Sequence, residues 1–118
     1  MILAPLSKYP GEYEILDHAA GKPEGDHLYL RLSTHGEETT IRLASPGATE
    51  TWVAFRIVAN FDFDAVGVLN SYIEPLAKAG VPIMAFSSFL TDHILVKKLD
   101  VSKAVKAWSE QKIRILEQ

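Results

Sequence analysis

No cysteine occurs in the 118 residues. That excludes disulfides, thiolate metal sites and thiol nucleophiles, and it fits a reducing compartment. Long apolar runs are missing too, and none approaches the roughly 18 residues a membrane-crossing helix needs. The opening MILAPLSKYPGEYE is interrupted by Lys8 and Pro10, too early for a secretory signal. A cytoplasmic protein without a membrane partner is expected. Basic charge is not in excess: 12 Lys and Arg stand against 15 Asp and Glu, for a net charge of −3. Nothing electrostatic therefore favours nucleic acid as a partner. No G-x-G-x-x-G or Walker-type loop is present to hold a phosphate. The four histidines never fall in an H-x-H or H-x-x-x-H pair, so neither a metal nor any other cofactor is expected. No nucleophile-elbow glycines flank a serine, so no catalytic residue is assigned and no enzyme is expected.

What is present is an ordinary globular composition, 47% hydrophobic and 23% charged, enough for one compact domain or two small ones. The second half reads clearly. TWVAFRIVA (51–59) alternates and is β-branched and aromatic, which predicts a strand. Asp64 then predicts the N-cap of a helix through AVGVLNSYIEPLAKAG, with Val66, Leu69, Ile73, Leu76 and Ala77 as its apolar face. Pro75 should kink or shorten that helix, and Gly80 should stop it. Strands are expected over Val81–Phe86 and His93–Lys98. A second helix capped by Asp100 follows, with Val101, Ala104, Val105 and Trp108 inward, and Ile113–Leu116 closes as an edge strand. The order strand–helix–strand–strand–helix–strand is α+β and ferredoxin-like: an antiparallel βαββαβ sheet with both helices on one face.

The first 50 residues predict strands and turns only. GEYEILDH reads as a strand, AAGKPEGD as a loop, and HLYLRLS with ETTIRLAS as a hairpin around Thr34, His35 and Gly36. Their spacing echoes the second half with too short a connector for a helix. Residues 1–50 are read as a reduced copy of the unit formed by 51–118.

The run from Trp52 to Trp108 resembles the ACT domain, a small regulatory module that senses amino acids. The residues that carry the resemblance are Phe61 and Phe63, Gly67, Pro75 with Leu76, and Ser87, Ser88, Phe89, Thr91, Asp92, Leu95 and Val96. Within that family it is similar to chains with two ACT units, the aspartokinase-like type, and to the ACT domains of eukaryotic cytosolic arginine sensors. In the first half, Thr34-His35-Gly36-Glu37-Glu38 stands where that subgroup has a Thr-Pro-acidic-Glu turn. The resemblance implies a reduced ACT-like unit followed by an ACT domain, an amino-acid ligand, a regulated protein partner and pairing into a homodimer.

A free amino acid needs its carboxylate and its ammonium both satisfied as they leave water. Amides at the start of the 64–80 helix suit the carboxylate, which selects Asp64, Val66 and Gly67. Asp92, with the hydroxyls of Ser87, Ser88 and Thr91, suits the ammonium. The same four residues are also good turn formers for purely local reasons. The reading adopted is a non-catalytic amino-acid-binding regulatory or sensor protein, against the alternative of an ACT-like sheet used only for dimerisation or docking.

Overall fold

The computed structural model describes residues 3–59 and 67–117. Eight strands form one sheet: β1 (Leu6–Lys8), β2 (Tyr13–Leu16), β3 (Leu30–Thr34), β4 (Glu37–Leu43), β5 (Trp52–Ile57), β6 (Ile83–Ser87), β7 (Asp92–Lys97) and β8 (Ile115–Glu117). Two helices, α1 (Val68–Lys78) and α2 (Val101–Glu110), complete the α+β architecture. The second half follows the expected order of elements.

β5 is the central strand. Antiparallel β7 lies along one edge, from Trp52↔Lys97 to Arg56↔His93, and β6 pairs with the outer side of β7. The other edge is shared. β1 pairs with the end of β5 (Leu6↔Ile57, Lys8↔Phe55), while β2 touches only its start (Tyr13↔Trp52). Between them Tyr9 N–H donates to Ala54 O at 2.9 Å, and Gly11, at φ 80, lets the chain bulge. β4 and then β3 continue outward from β2. The β3–β4 connection is the two-residue turn His35–Gly36, with φ of 49 and 78. Positive φ at both positions matches the right-handed twist of a hairpin.

One feature departs from an all-antiparallel sheet. β8 does not pair with β5. It runs parallel to β1 (Leu6↔Ile115), so a strand from the first ten residues sits between the first and last strands of the βαββαβ unit. LSK is too short and too polar to signal a strand. Its ladder bonds come from partners about 50 and 110 residues away along the chain.

Period-two alternation gives the sheet two working faces. Val53, Phe55 and Ile57 of β5, with Ile94 and Val96 of β7, point to the helices and join Leu6, Tyr72, Leu76, Ala104 and Trp108 in the main core. Ala54 and Leu95 point the other way and pack with Tyr13 and Ile41 from the first half, flanked by Trp52, Met84 and Phe86.

α1 corrects two expectations. Its described part starts at Val68, with Gly67 as N-cap at φ 76, and no side-chain cap is made. Asp64, expected as the cap, lies outside the described residues. Pro75 neither ends the helix nor shortens it, since the helix runs on to Lys78. Proline cannot donate to the Ser71 carbonyl, and the Trp108 indole N–H donates to the next one, Tyr72 O, at 2.8 Å. The buried face is built on Tyr72 and Leu76, and Ala77 is exposed. Tyr72 is drawn inward because its hydroxyl donates to Ala4 O at 2.8 Å, a partner no helical pattern announces. Asp100 precedes α2 but makes no capping bond. A 3-10 turn over Lys98–Asp100 leads into the helix, and at φ −103, ψ 1 the Asp100 backbone lies outside the extended region a capping side chain needs.

Candidate functional site

The polar cluster between β6 and β7 is first of all a tight hairpin end. Ser87 pairs with Asp92 across the ladder, and the Ser87 hydroxyl donates to Asp92 Oδ1. Ser88 N–H donates to Thr91 O at 2.8 Å, which leaves Phe89 and Leu90 at the tip. Thr91 Oγ1 donates to Ile57 O at 2.7 Å. That last bond ties the turn to the end of β5.

The sheet divides these residues between its two sides. Side chains alternate along β7, so Asp92 shares the helix-side parity of Ile94, whereas His93 shares the opposite parity of Leu95. Ser88 joins the His93 side, its Oγ lying 3.0 Å from His93 Nε2. Of the expected residues, Ser88 therefore reaches the side opposite the helices, and Ser87, Thr91 and Asp92 are engaged within the turn or with β5. Gly67 is exposed at the start of α1, and a side chain there would meet nothing within 4 Å among the described residues. Its positive φ, not close packing, is what requires glycine. Asp64 and Val66 lie outside the described residues.

On the His93 side the two halves of the chain enclose a half-open cleft of about 730 Å³. Tyr9, Tyr13 and Asp26 come from the first half, and Arg56, Ser88 and His93 from the second. The β1–β2 bulge positions both tyrosines. The Tyr13 hydroxyl accepts from Leu28 N–H at 3.2 Å, pinning the 20s loop over the cleft. That loop is further held by Tyr29, whose hydroxyl donates to Ala20 O at 2.6 Å, and by His27, whose Nε2 lies 2.9 Å from Pro23 O. Arg56 is the one charged residue in TWVAFRIVA, and it stands opposite His93 in the β5–β7 register. A lone charge in an apolar strand was the available sequence signal for this site. The tyrosines and Asp26 gave none, because only the fold brings them to it.

The hydrogen bonds fix the polarity of a short relay. Ser88 Oγ donates to Thr91 O at 3.0 Å, a carbonyl that can only accept. His93 Nε2 must then carry the proton it shares with Ser88. That leaves Nδ1 to accept from the Tyr9 hydroxyl at 3.4 Å. This tautomer follows from hydrogen-bond bookkeeping. It is the reverse of a nucleophilic serine, whose hydroxyl would donate to an imidazole acting as base. The His93 ring stacks on Phe86 with centroids 5.0 Å apart.

Burial pushes the His93 pKa below its ordinary 6.5, and Arg56 adds to the push while Asp92 opposes it. A histidine held neutral in the fold contributes stability that is present above pH 6.5. As pH falls from there towards the depressed native value, the unfolded chain takes up a proton that the native chain refuses, and stability drops. His93→Gln should flatten the urea-derived stability profile across that interval. An unchanged slope in the variant would show that His93 is not the group responsible. Tyr9 is shifted the other way, its phenol pKa raised by burial against the opposing pull of Arg56, so its proton stays in the relay.

The fold is an α+β unit with two helices on one sheet face and a cleft on the other. The model of the ACT domain matches residues 47–110, and the chain belongs to the ACT domain family, whose members are regulatory modules that bind small molecules. Two solved structures are similar. Protein Atu0741 from Agobacterium tumefaciens shares 25% identity at a TM-score of 0.81, covering 100% of this chain and 96% of that one. VC0802 from Vibrio cholerae, described as a protein of unknown function and possible transport protein, shares 16% identity at a TM-score of 0.69 and covers 89% and 88%. The second likeness is one of fold alone. No curated protein matches the chain.

Proposed function

We propose that this ACT protein is a non-catalytic sensor or regulatory subunit whose ligand is a free amino acid or a close relative. The observation that carries the reading is the cleft of about 730 Å³, walled jointly by the first 50 residues and the ACT unit. In this reading residues 1–50 act as the reduced unit that completes the site. The relay polarity supports the absence of catalysis, because the Ser88 proton is committed to a carbonyl. Ser88 is the residue of the expected set that faces the cleft. Ser87, Thr91 and Asp92 at the β6–β7 turn are an alternative seat, and the expected Asp64 and Val66 lie outside the described residues.

Calorimetric titration with the twenty amino acids tests the reading, and heat from a small subset is expected. A ligand held at 100 times its Kd should stabilise the fold by about 2.7 kcal/mol, read as a rise in melting temperature. Heat from none of them would remove the proposal.

A second reading, an interaction module that pairs with another copy or a regulated protein, is favoured by the hairpin tip. Phe89 is 74% exposed and Leu90 54%, and the outer edge of β6 carries no further strand among the described residues. Under it, Phe89→Asp with Leu90→Asp abolishes self-association in light scattering while the melting temperature stays near that of the unaltered chain.

A further inference from the structure

Two charges in the cleft are unspent. Arg56 is half-buried on β5, yet its guanidinium makes no ion pair or hydrogen bond with any described residue. Its fellow arginine Arg42 shows the usual arrangement, with Nε 2.9 Å from Glu14 Oε2 and further bonds to Gly21 O and Ser45. A guanidinium that gives up part of its water without a carboxylate pays a desolvation cost with no return inside the chain. Asp26 lines the same cleft, is exposed, and likewise has no ion-pair partner among the described residues. Both act on the same phenol: Arg56 and Asp26 each exert a Coulombic effect on Tyr9, with opposite sign. A cation and an anion lining one cleft, neither paired among the described residues, complement a molecule that carries both charges.

We infer that the cleft is a zwitterion site in which Arg56 takes the α-carboxylate of an amino acid and Asp26 its ammonium. The fork of a guanidinium matches a carboxylate in a two-point pairing. Tyr9 and Tyr13 flank the backbone of the ligand, and Leu28 and Leu43, also in the wall, select an apolar or aromatic side chain. This assignment rests on the amino-acid reading above and names the seat within it. It also explains a charged residue at the fifth position of an otherwise apolar strand: replacing Arg56 by an apolar residue would improve that strand as a strand.

The test is calorimetry with leucine and phenylalanine, and with phenethylamine and 3-phenylpropionate, which lack the carboxylate and the ammonium in turn. Wild-type chain should bind at least one of the two amino acids, and both truncated molecules at least tenfold more weakly than phenylalanine. Arg56→Met, which keeps the aliphatic stem, should weaken amino-acid binding at least tenfold, and Asp26→Asn several-fold. Arg56→Lys keeps the charge without the fork and should fall between wild type and Arg56→Met, which guards against a folding artefact; melting of Arg56→Met should be no lower than wild type. Wild-type affinity in Arg56→Met, with the loss appearing instead in Asp92→Asn, overturns the cleft assignment and leaves the sensor reading standing. Equal binding of 3-phenylpropionate and phenylalanine overturns the role of Asp26 and with it the zwitterion site. A wild-type chain silent towards all twenty amino acids overturns both.

Discussion

Trp108→Ala should destabilise the chain by about 3–5 kcal/mol, a large share of the roughly 5–15 kcal/mol that holds a domain of this size. Trp108 is fully buried between α2 and the sheet, edge-on to Phe55 with ring centroids 4.9 Å apart. Its removal leaves a cavity that the rigid β5–β7 ladder cannot fill. It also removes the indole hydrogen bond to Tyr72 O at 2.8 Å, a bond whose net worth is about 0.5–1.5 kcal/mol. Urea unfolding of Trp108→Ala and Trp108→Phe separates the two contributions. The phenylalanine variant keeps most of the volume and should lose about 1–2 kcal/mol. A loss below about 1 kcal/mol in the alanine variant would mean that the helix layer is not held as described.

Leu6→Ala should cost about 2–5 kcal/mol, far more than its place in a three-residue strand near the start of the chain suggests. Leu6 is fully buried and stands between Ile57 on β5 and Ile115 on β8. Its strand is the only link between the last strand and the rest of the sheet among the described residues. The loss should be felt throughout. Hydrogen exchange at the Ile41 amide on β4 and the Val96 amide on β7 should quicken together as urea rises. Quickening confined to the β1–β8 edge would show that β1 is an accessory strand that the ACT unit can do without.

Much of the second half was legible because its signals are local. Alternation in TWVAFRIVA, a helical stripe that includes Leu69, Ile73 and Leu76, and the run ILV at 94–96 each declare their own period. The hairpin at His35–Gly36 was equally plain, since only a few residue types adopt positive φ in succession. Two departures have one origin. Asp100 favours a cap by its own chemistry and Tyr72 falls outside the aliphatic stripe, whereas the 3-10 turn over Lys98–Asp100 and the Ala4 carbonyl decide their actual roles. The site shows the same division. Ser87, Ser88, Thr91 and Asp92 were singled out as one cluster because they are consecutive or nearly so. Successive residues on a strand point to opposite faces, and the sheet divides Ser88 and His93 from Asp92.

The sequence by itself determined the kinds and order of the second-half elements, the turn chemistry at both hairpins and the presence of a charge in β5. These depend on interactions within a few residues. Tertiary structure alone decided that β1 lies between β5 and β8, and that Tyr9 and Asp26 meet Arg56 and His93 across a cleft. Both are pairings between segments dozens of residues apart. They are set by which ladder edges and apolar faces remain to be covered once the local elements exist, and no local pattern encodes that choice.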